Sequence, residues 1–185
     1  MEMKPLESSN IGVVAGWLSD PHNYKWLDFG NRIQRLSPAV LKLMSTKPKH
    51  CLNFYSSSGG EHPIGLVGLT NIDKHFNTAV LWYVLGDKMF ANQGYTTAAV
   101  WKLLGIGFNE LGLRAISAWA VETNHPSIRV LEKTRFRYIG KQRACHVVDG
   151  AVVDRLLFDL VSEEYCRDSD ATLLNNGLLP HCATP

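Results

Sequence analysis

Three features of the sequence predict an α+β domain, in the broad α/β class: a mixed, mostly antiparallel central sheet flanked by helices and closed by a C-terminal β-hairpin. Strand-like and helix-like patterns alternate over 78–85, 94–111, 114–121, 126–133 and 136–147. Asp149-Gly150 stands between two β-rich runs, 146–148 and 151–160, and is the residue pair that a tight type I′ turn requires. Hydrophobic residues make up 45% of the 185 residues and charged residues 19%, with five Trp, which is the composition of one packed domain. That domain is expected to span 1–162, and 163–185 to form a polar tail whose mobility is expected from its Asn175-Asn176-Gly177 and terminal Pro185.

The elements follow in order. Ser8, Ser9 and Asn10 offer N-caps for a short helix over 11–18, which Asp20-Pro21 breaks. Ser37-Pro38 opens a second helix through Leu43 and Met44, so two or three helices are expected before the sheet. Leu52, Phe54 and Tyr55 read as a strand, 56–60 as a flexible turn, and 64–72 as the returning strand of a hairpin. The run 78–85 is almost continuously apolar, which places it at the sheet centre with both faces covered. In 94–111 the apolar positions Ala98, Leu103, Leu104, Ile106, Phe108 and Leu111 fit a helical period.

Composition also excludes. The formal net charge is +2, with Lys and Arg scattered and not blocked, so nucleic acid is not the expected partner. Cys51, Cys145, Cys166 and Cys182 share no C-x-x-C spacing and residues 1–10 lack an apolar signal core, which points to a reduced, cytoplasmic setting. No apolar run approaches the roughly 18 to 20 residues that cross a bilayer, so no membrane association is expected. The seven histidines lack ligand spacing of the H-x-x-x-H kind, and no metal site is expected. Cys145 has no neighbouring Cys-His-Asp pattern, and an ordinary structural thiol is its commoner role. Small sheets with exposed edges pair readily, so a homodimer is admitted without any residue being singled out for it.

The stretch 85–99 carries the chemistry. A buried strand ends at Gly86-Asp87, a polar loop Ala91-Asn92-Gln93-Gly94 follows, and a helix begins. The first turn of a helix has unpaired N–H groups and a partial positive charge, and a glycine lets phosphate oxygens approach them. Thr96 and Thr97 would add hydroxyl donors. An ordinary glycine-containing loop capping a core helix reads the same way at this point.

The segment Ala91-Asn92-Gln93-Gly94-Tyr95-Thr96-Thr97-Ala98-Ala99 resembles the acetyl-CoA pyrophosphate loop of GNAT N-acetyltransferases. It is most similar to the branch that includes the ribosomal-protein N-terminal acetyltransferases, matching it at Gly94, Tyr95, Thr97 and Ala99 and departing at Ala91, Asn92 and Thr96. The segment 124–136 resembles the family's N-x-x-[SA]-x-x-x-x-x-K-x-G-F pattern, with Asn124, Ser127, Lys133 and Phe136 in place and Arg135 where glycine is usual. The element order over 3–160 also agrees with a GNAT fold.

What the resemblance implies is acetyl-CoA as acyl donor, held by Asn92, Gln93, Gly94, Tyr95, Thr96 and Thr97, with Asn124 on the pantetheine arm and Ser127 along it. Backbone N–H groups around Val84 and Leu85 would polarise the thioester carbonyl for direct attack by a neutral amine. The family's usual acid, a Tyr in the helix after Asn124, is replaced by Leu131, and 78–85 holds no carboxylate. The remaining acid–base candidates are Glu122, His146 and Tyr83, for which a solvated carboxylate, an ordinary strand residue and a core aromatic are the commoner roles. The acceptor pocket would be walled by Tyr24, Trp26, Phe29, Arg143 and His146. The expected acceptor is a primary amine of a small metabolite; a protein N-terminus, a different acyl-CoA and a non-catalytic CoA-binding scaffold stay open.

Overall fold

The computed structural model describes residues 1–30, 34–57 and 62–165. Part of the turn expected at 56–60 and almost all of the expected tail, from 166 onward, lie outside the described residues. The elements run β1 (Glu2–Pro5), α1 (Ile11–Ser19), α2 (Pro21–Tyr24), α3 (Pro38–Thr46), β2 (Cys51–Ser56), β3 (Pro63–Asp73), β4 (Thr78–Leu85), a 3₁₀ turn (Lys88–Phe90), α4 (Tyr95–Gly105), β5 (Ala115–Val121), α5 (His125–Lys133), β6 (Arg137–Val148) and β7 (Ala151–Val161).

The strands form one sheet in the order β1-β2-β3-β4-β5-β7-β6, antiparallel except for β4 beside β5. Side chains alternate between its faces. Leu69, Leu81, Leu103, Leu104, Ile116 and Leu131 form the core between the sheet and α4 and α5. Val14, Leu18, Leu41, Leu52, Leu66 and Val84 form a second core beneath α1 and α3. The result is a helix–sheet–helix sandwich, and no helix among the described residues is long and apolar enough to cross a membrane.

Local chemistry explains most boundaries. Ser37 Oγ accepts the Val40 N–H at 3.3 Å with Pro38 in the first turn, so α3 starts where the sequence indicates. Asn10 precedes α1, yet its side chain makes no capping bond. The Asp149-Gly150 turn takes φ of 50° and 85°, the two positive values that a type I′ turn needs. The expected helix 94–111 is α4 followed by a wider, π-type turn at Ile106–Glu110.

Two expectations need correction. The sheet does not begin after the helices: β1 precedes them and pairs with β2, a contact no local pattern in four residues announces. And β4 is the middle strand, but it is not sealed along its length. It pairs with β5 only over Thr78–Val80, against Ala115–Ser117. Beyond Val80 the two strands separate while β5 stays paired with β7 as far as Val121. A wedge-shaped opening through the sheet is left beside residues 81–85.

Candidate functional site

That opening is continuous with a cleft of about 1140 Å³ running from the α1–α3 side of the sheet to the α4–α5 side. On the α4–α5 side, Gly94 adopts φ 81° at the head of α4, a left-handed conformation that favours glycine, and the space above it is open. The first helical acceptor bond is Ala98 N–H to Gly94 O at 3.0 Å, so the amides before it point out of the helix. Asn92, where the resembled loop has glycine, takes φ 61°, and Arg135, the other glycine replacement, takes φ 66° after α5. Both departures therefore keep the glycine's backbone shape; Asn tolerates it well, and Arg at a cost of roughly 1 kcal/mol.

The two hydroxyls of the first turn differ. Thr96 Oγ1 is turned inward and lies 2.8 Å from the hydroxyl of Tyr55, which is fully buried. The same hydroxyl sits 3.5 Å from the Val84 carbonyl, so one buried phenol touches both α4 and β4. Gly65 makes this reach available, because a methyl group there would overlap the Tyr55 ring. Burial pushes the Tyr55 phenol far up, so it stays protonated. Thr97 lines the cleft. Gln93 does not; its amide donates to Met89 O at 3.0 Å and braces the loop. Tyr95 packs edge-on to Phe90 at 5.6 Å.

At the wedge itself, Val84, Leu85, Tyr83, Asn124 and Ser127 all line the cleft. Asn124 caps α5, its Oδ1 accepting the Ser127 N–H at 3.4 Å. Tyr83 spans the opening: its hydroxyl donates to Ser127 O at 2.8 Å and lies 2.9 Å from Ser127 Oγ. Burial raises its pKa strongly, with the Ser127 bond offsetting only part, so Tyr83 holds a proton at neutral pH. Leu131, at the position of the resembled family's acid, is wholly buried in the core.

Glu122 and His146 are otherwise engaged. Glu122 accepts from Lys141 Nζ and from the Asp154 N–H, both at 3.1 Å, away from the cleft lining. His146 is 4% exposed; its Nε2 bonds to Lys25 O at 2.8 Å, and its Nδ1 faces Arg155 Nη2 at 2.7 Å. An Arg is only a donor, so Nδ1 accepts, Nε2 carries the hydrogen, and neither nitrogen is free. Burial lowers the His146 pKa, and the nearby Arg155 adds to this, together outweighing the Lys25 carbonyl. Cys145 Sγ donates to Gln142 O at 3.2 Å within the irregular part of β6.

The α1–α3 side is aromatic. Trp26 and Phe29 line the cleft, and Phe29 meets Trp82 edge-on at 5.0 Å. Tyr24 and Arg143 are not in its wall; the Tyr24 hydroxyl accepts from Arg35 Nη2 at 2.6 Å, and Arg143 is exposed on β6. Sequence reasoning missed Asp28, Arg35, Lys88 and Trp119 in the wall, and Tyr55 and Arg155 behind it. Each is isolated within its own stretch, and only long-range contacts bring it to the site. Among the described residues, no group of three or more His, Cys, Asp or Glu could hold a metal.

The open helix N-terminus, the unpaired strand edge and the capped α5 suit a long ligand carrying phosphates at one end. Comparison with known proteins agrees. A family model described as an acetyltransferase (GNAT) domain matches residues 1–137. The chain is 33% identical over 169 residues, 89% of its length and 94% of the relative's, to an uncharacterized N-acetyltransferase p20 of Bacillus licheniformis. It is 32% identical over 101 residues, 55% of each chain, to a putative ribosomal N-acetyltransferase YdaF of Bacillus subtilis. A spermidine N-acetyltransferase from Vibrio cholerae, solved with CoA and spermine, superposes with a TM-score of 0.77 at 14% identity over 89% of this chain and 96% of that one, a likeness of fold. With the family model spanning most of the chain and the geometry in accord, the protein belongs to the GNAT acetyltransferase family and is an acyltransferase enzyme.

Proposed function

We propose that this enzyme is an acetyl-CoA-dependent N-acetyltransferase that moves the acetyl group to a primary amine of a small metabolite by direct attack. The observation that carries the reading is the open, positively polarised head of α4 at Gly94, set beside the unpaired edge of β4. Gly94, Tyr95 and Thr97 would hold the pyrophosphate, and Asn124 and Ser127 the pantetheine arm, where they line the cleft. When bound, acetyl-CoA supplies a thioester carbonyl as the electrophile. Backbone N–H groups of β4 near Val84 and Leu85, beyond the stretch paired with β5, would be the donors that polarise it.

The chain's own groups suggest how protons move. An alkyl ammonium has a pKa near ~10 and must lose a proton before its nitrogen can attack. The aromatic wall of Trp26, Phe29 and Trp82 disfavours the charged form by desolvation, which lowers that pKa and lets the proton leave to water. With a donor bound, C–N bond formation would be accompanied by loss of the second nitrogen proton to water and by cleavage of the C–S bond, and the Tyr83 hydroxyl would give its proton to the departing sulfur and regain one from solvent. Glu122 and His146 hold the β6–β7 hairpin in place in this scheme.

A second reading, acetylation of a protein N-terminus, is supported by the similarity to a relative named for ribosomal acetylation and by a cleft large enough for a short peptide end. The cofactor site is tested by Gly94→Glu, which adds bulk and negative charge above the helix head. The variant is expected to keep its circular dichroism and to lose calorimetric binding of acetyl-CoA and CoA; unchanged affinity in a folded variant sinks the assignment.

A further inference from the structure

The acceptor side of the cleft has a distinctive charge balance. Among the described residues that line the cleft, Asp28 is the sole carboxylate. Its Oδ2 is 2.6 Å from Arg155 Nη2 and its Oδ1 accepts the Gly30 N–H at 2.8 Å, so its charge is paired and each oxygen has a donor. Burial alone would raise the Asp28 pKa, yet the bonds from Arg155 and Gly30 overcome this and hold it ionised, below the usual carboxylate range. The neighbouring carboxylates are engaged too: Asp149 pairs with Lys25 at 2.7 Å, and Glu122 and Asp154 share Lys141.

Aromatic faces are the other means of holding an ammonium group, and the protein's own cations already sit on three of them near the cleft, while Phe29 and Trp82 meet each other edge-on. The Arg155 guanidinium lies 4.0 Å over Trp119, Arg35 lies 4.1 Å over Tyr24, and Lys25 Nζ lies 5.1 Å from the Trp26 centroid. On the acceptor side of the wall, Arg35 and Lys88 form no ion pair with a carboxylate among the described residues. Arg35 bonds the Tyr24 hydroxyl, and Lys88 bonds the neutral oxygens of Asn23 and Leu85 at 2.5 and 2.6 Å, with Asp20 acting on it through space and itself bonded to His22. A second ammonium on the acceptor would therefore enter a chamber with an excess of positive charge, where each carboxylate named among the described residues already has a cation or an N–H partner.

Resting on the N-acetyltransferase reading above, we infer that the acceptor is a monoamine, its apolar body against Phe29 and Trp82 and its neutral or anionic remainder toward Arg35, and that polyamines are excluded. The same electrostatics that keep extra cations out also favour the neutral form of the one amine that enters, so selection and activation share a cause.

The test uses the full chain loaded with CoA and titrated calorimetrically with phenethylamine, phenylalanine and spermidine, with CoA release from acetyl-CoA measured in parallel. Phenethylamine or phenylalanine is expected to bind at least about tenfold more tightly than spermidine, and to be turned over preferentially. Arg35→Glu, at an exposed position, is expected to strengthen spermidine binding and weaken phenylalanine binding. Spermidine binding as tightly as both monoamines, or none of the three binding CoA-loaded protein, overturns the inference. Failure to bind CoA at all instead removes the cofactor reading, and this inference with it.

Discussion

Tyr83 shows how one residue can have its role set by where its hydroxyl ends. It sits on the face of β4 that packs toward α5, as any core aromatic would, but its oxygen crosses the wedge to Ser127 instead of stopping in the core. With its pKa raised by burial it can donate a proton but not act as a base. Tyr83→Phe keeps the ring and removes the proton. It is expected to lower kcat by about 10²-fold while leaving the affinity for CoA within a few-fold, measured by steady-state kinetics beside calorimetry. An unchanged kcat would return Tyr83 to the core. At the same scale, Asn92 and Arg135 show that a departure from a family's glycine need not change the backbone: both adopt the positive φ that the glycine would have taken.

Between elements, the proposed cofactor site is assembled from a strand and a helix that do not follow one another directly, and the Tyr55 hydroxyl joins them. It contacts Thr96 in the first turn of α4 and, at longer range, the carbonyl of Val84 in β4. Fixing the helix head relative to the strand edge spares the ligand that ordering cost. Tyr55→Phe removes one buried hydrogen bond and is expected to weaken CoA binding about two- to tenfold with little change in kcat. Thr96→Val should reproduce the effect, Thr96→Ser should not, and the Tyr55→Phe/Thr96→Val double variant should lose no more than either alone. Additive losses in the double-mutant cycle would show that the two hydroxyls act separately.

Across the whole molecule, the first thirty residues are tied to the last hairpin by a polar network. Lys25 O bonds His146, Asp28 bonds Arg155, and Lys25 Nζ bonds Asp149, contacts that span 121, 127 and 124 residues. His146 is neutral at the centre of this network, with its pKa lowered chiefly by burial. The unfolded chain binds a proton at His146 near pH 6.5, whereas the folded chain does so only at lower pH. The stability it contributes is present above about pH 6.5 and is lost as pH falls through the folded value. The melting temperature is thus expected to fall between pH 7 and 5.5, and His146→Gln to flatten that slope. A residual slope of the same sign is expected from His50, whose pKa burial also lowers. Asp28 and Asp154, held low, titrate below this window. An unaltered slope in His146→Gln, followed by thermal unfolding across that range, would place the titration elsewhere.

The sequence by itself determined the succession of strands and helices from β2 onward, the type I′ turn at Asp149-Gly150, the start of α3 at Ser37-Pro38 and the glycine loop before α4, because each depends on residues within a few positions of one another. Only the tertiary structure decided that β4 and β5 part after Val80, that Tyr55 reaches Thr96, that the polar atoms of Glu122 and His146 are already bonded, and that Asp28 and the Trp119 face are taken by Arg155. The physical reason is reach. Periodicity and turn chemistry are local, whereas the charge and hydrogen-bond balance of a site is settled by groups more than a hundred residues apart that meet only when the sheet is complete.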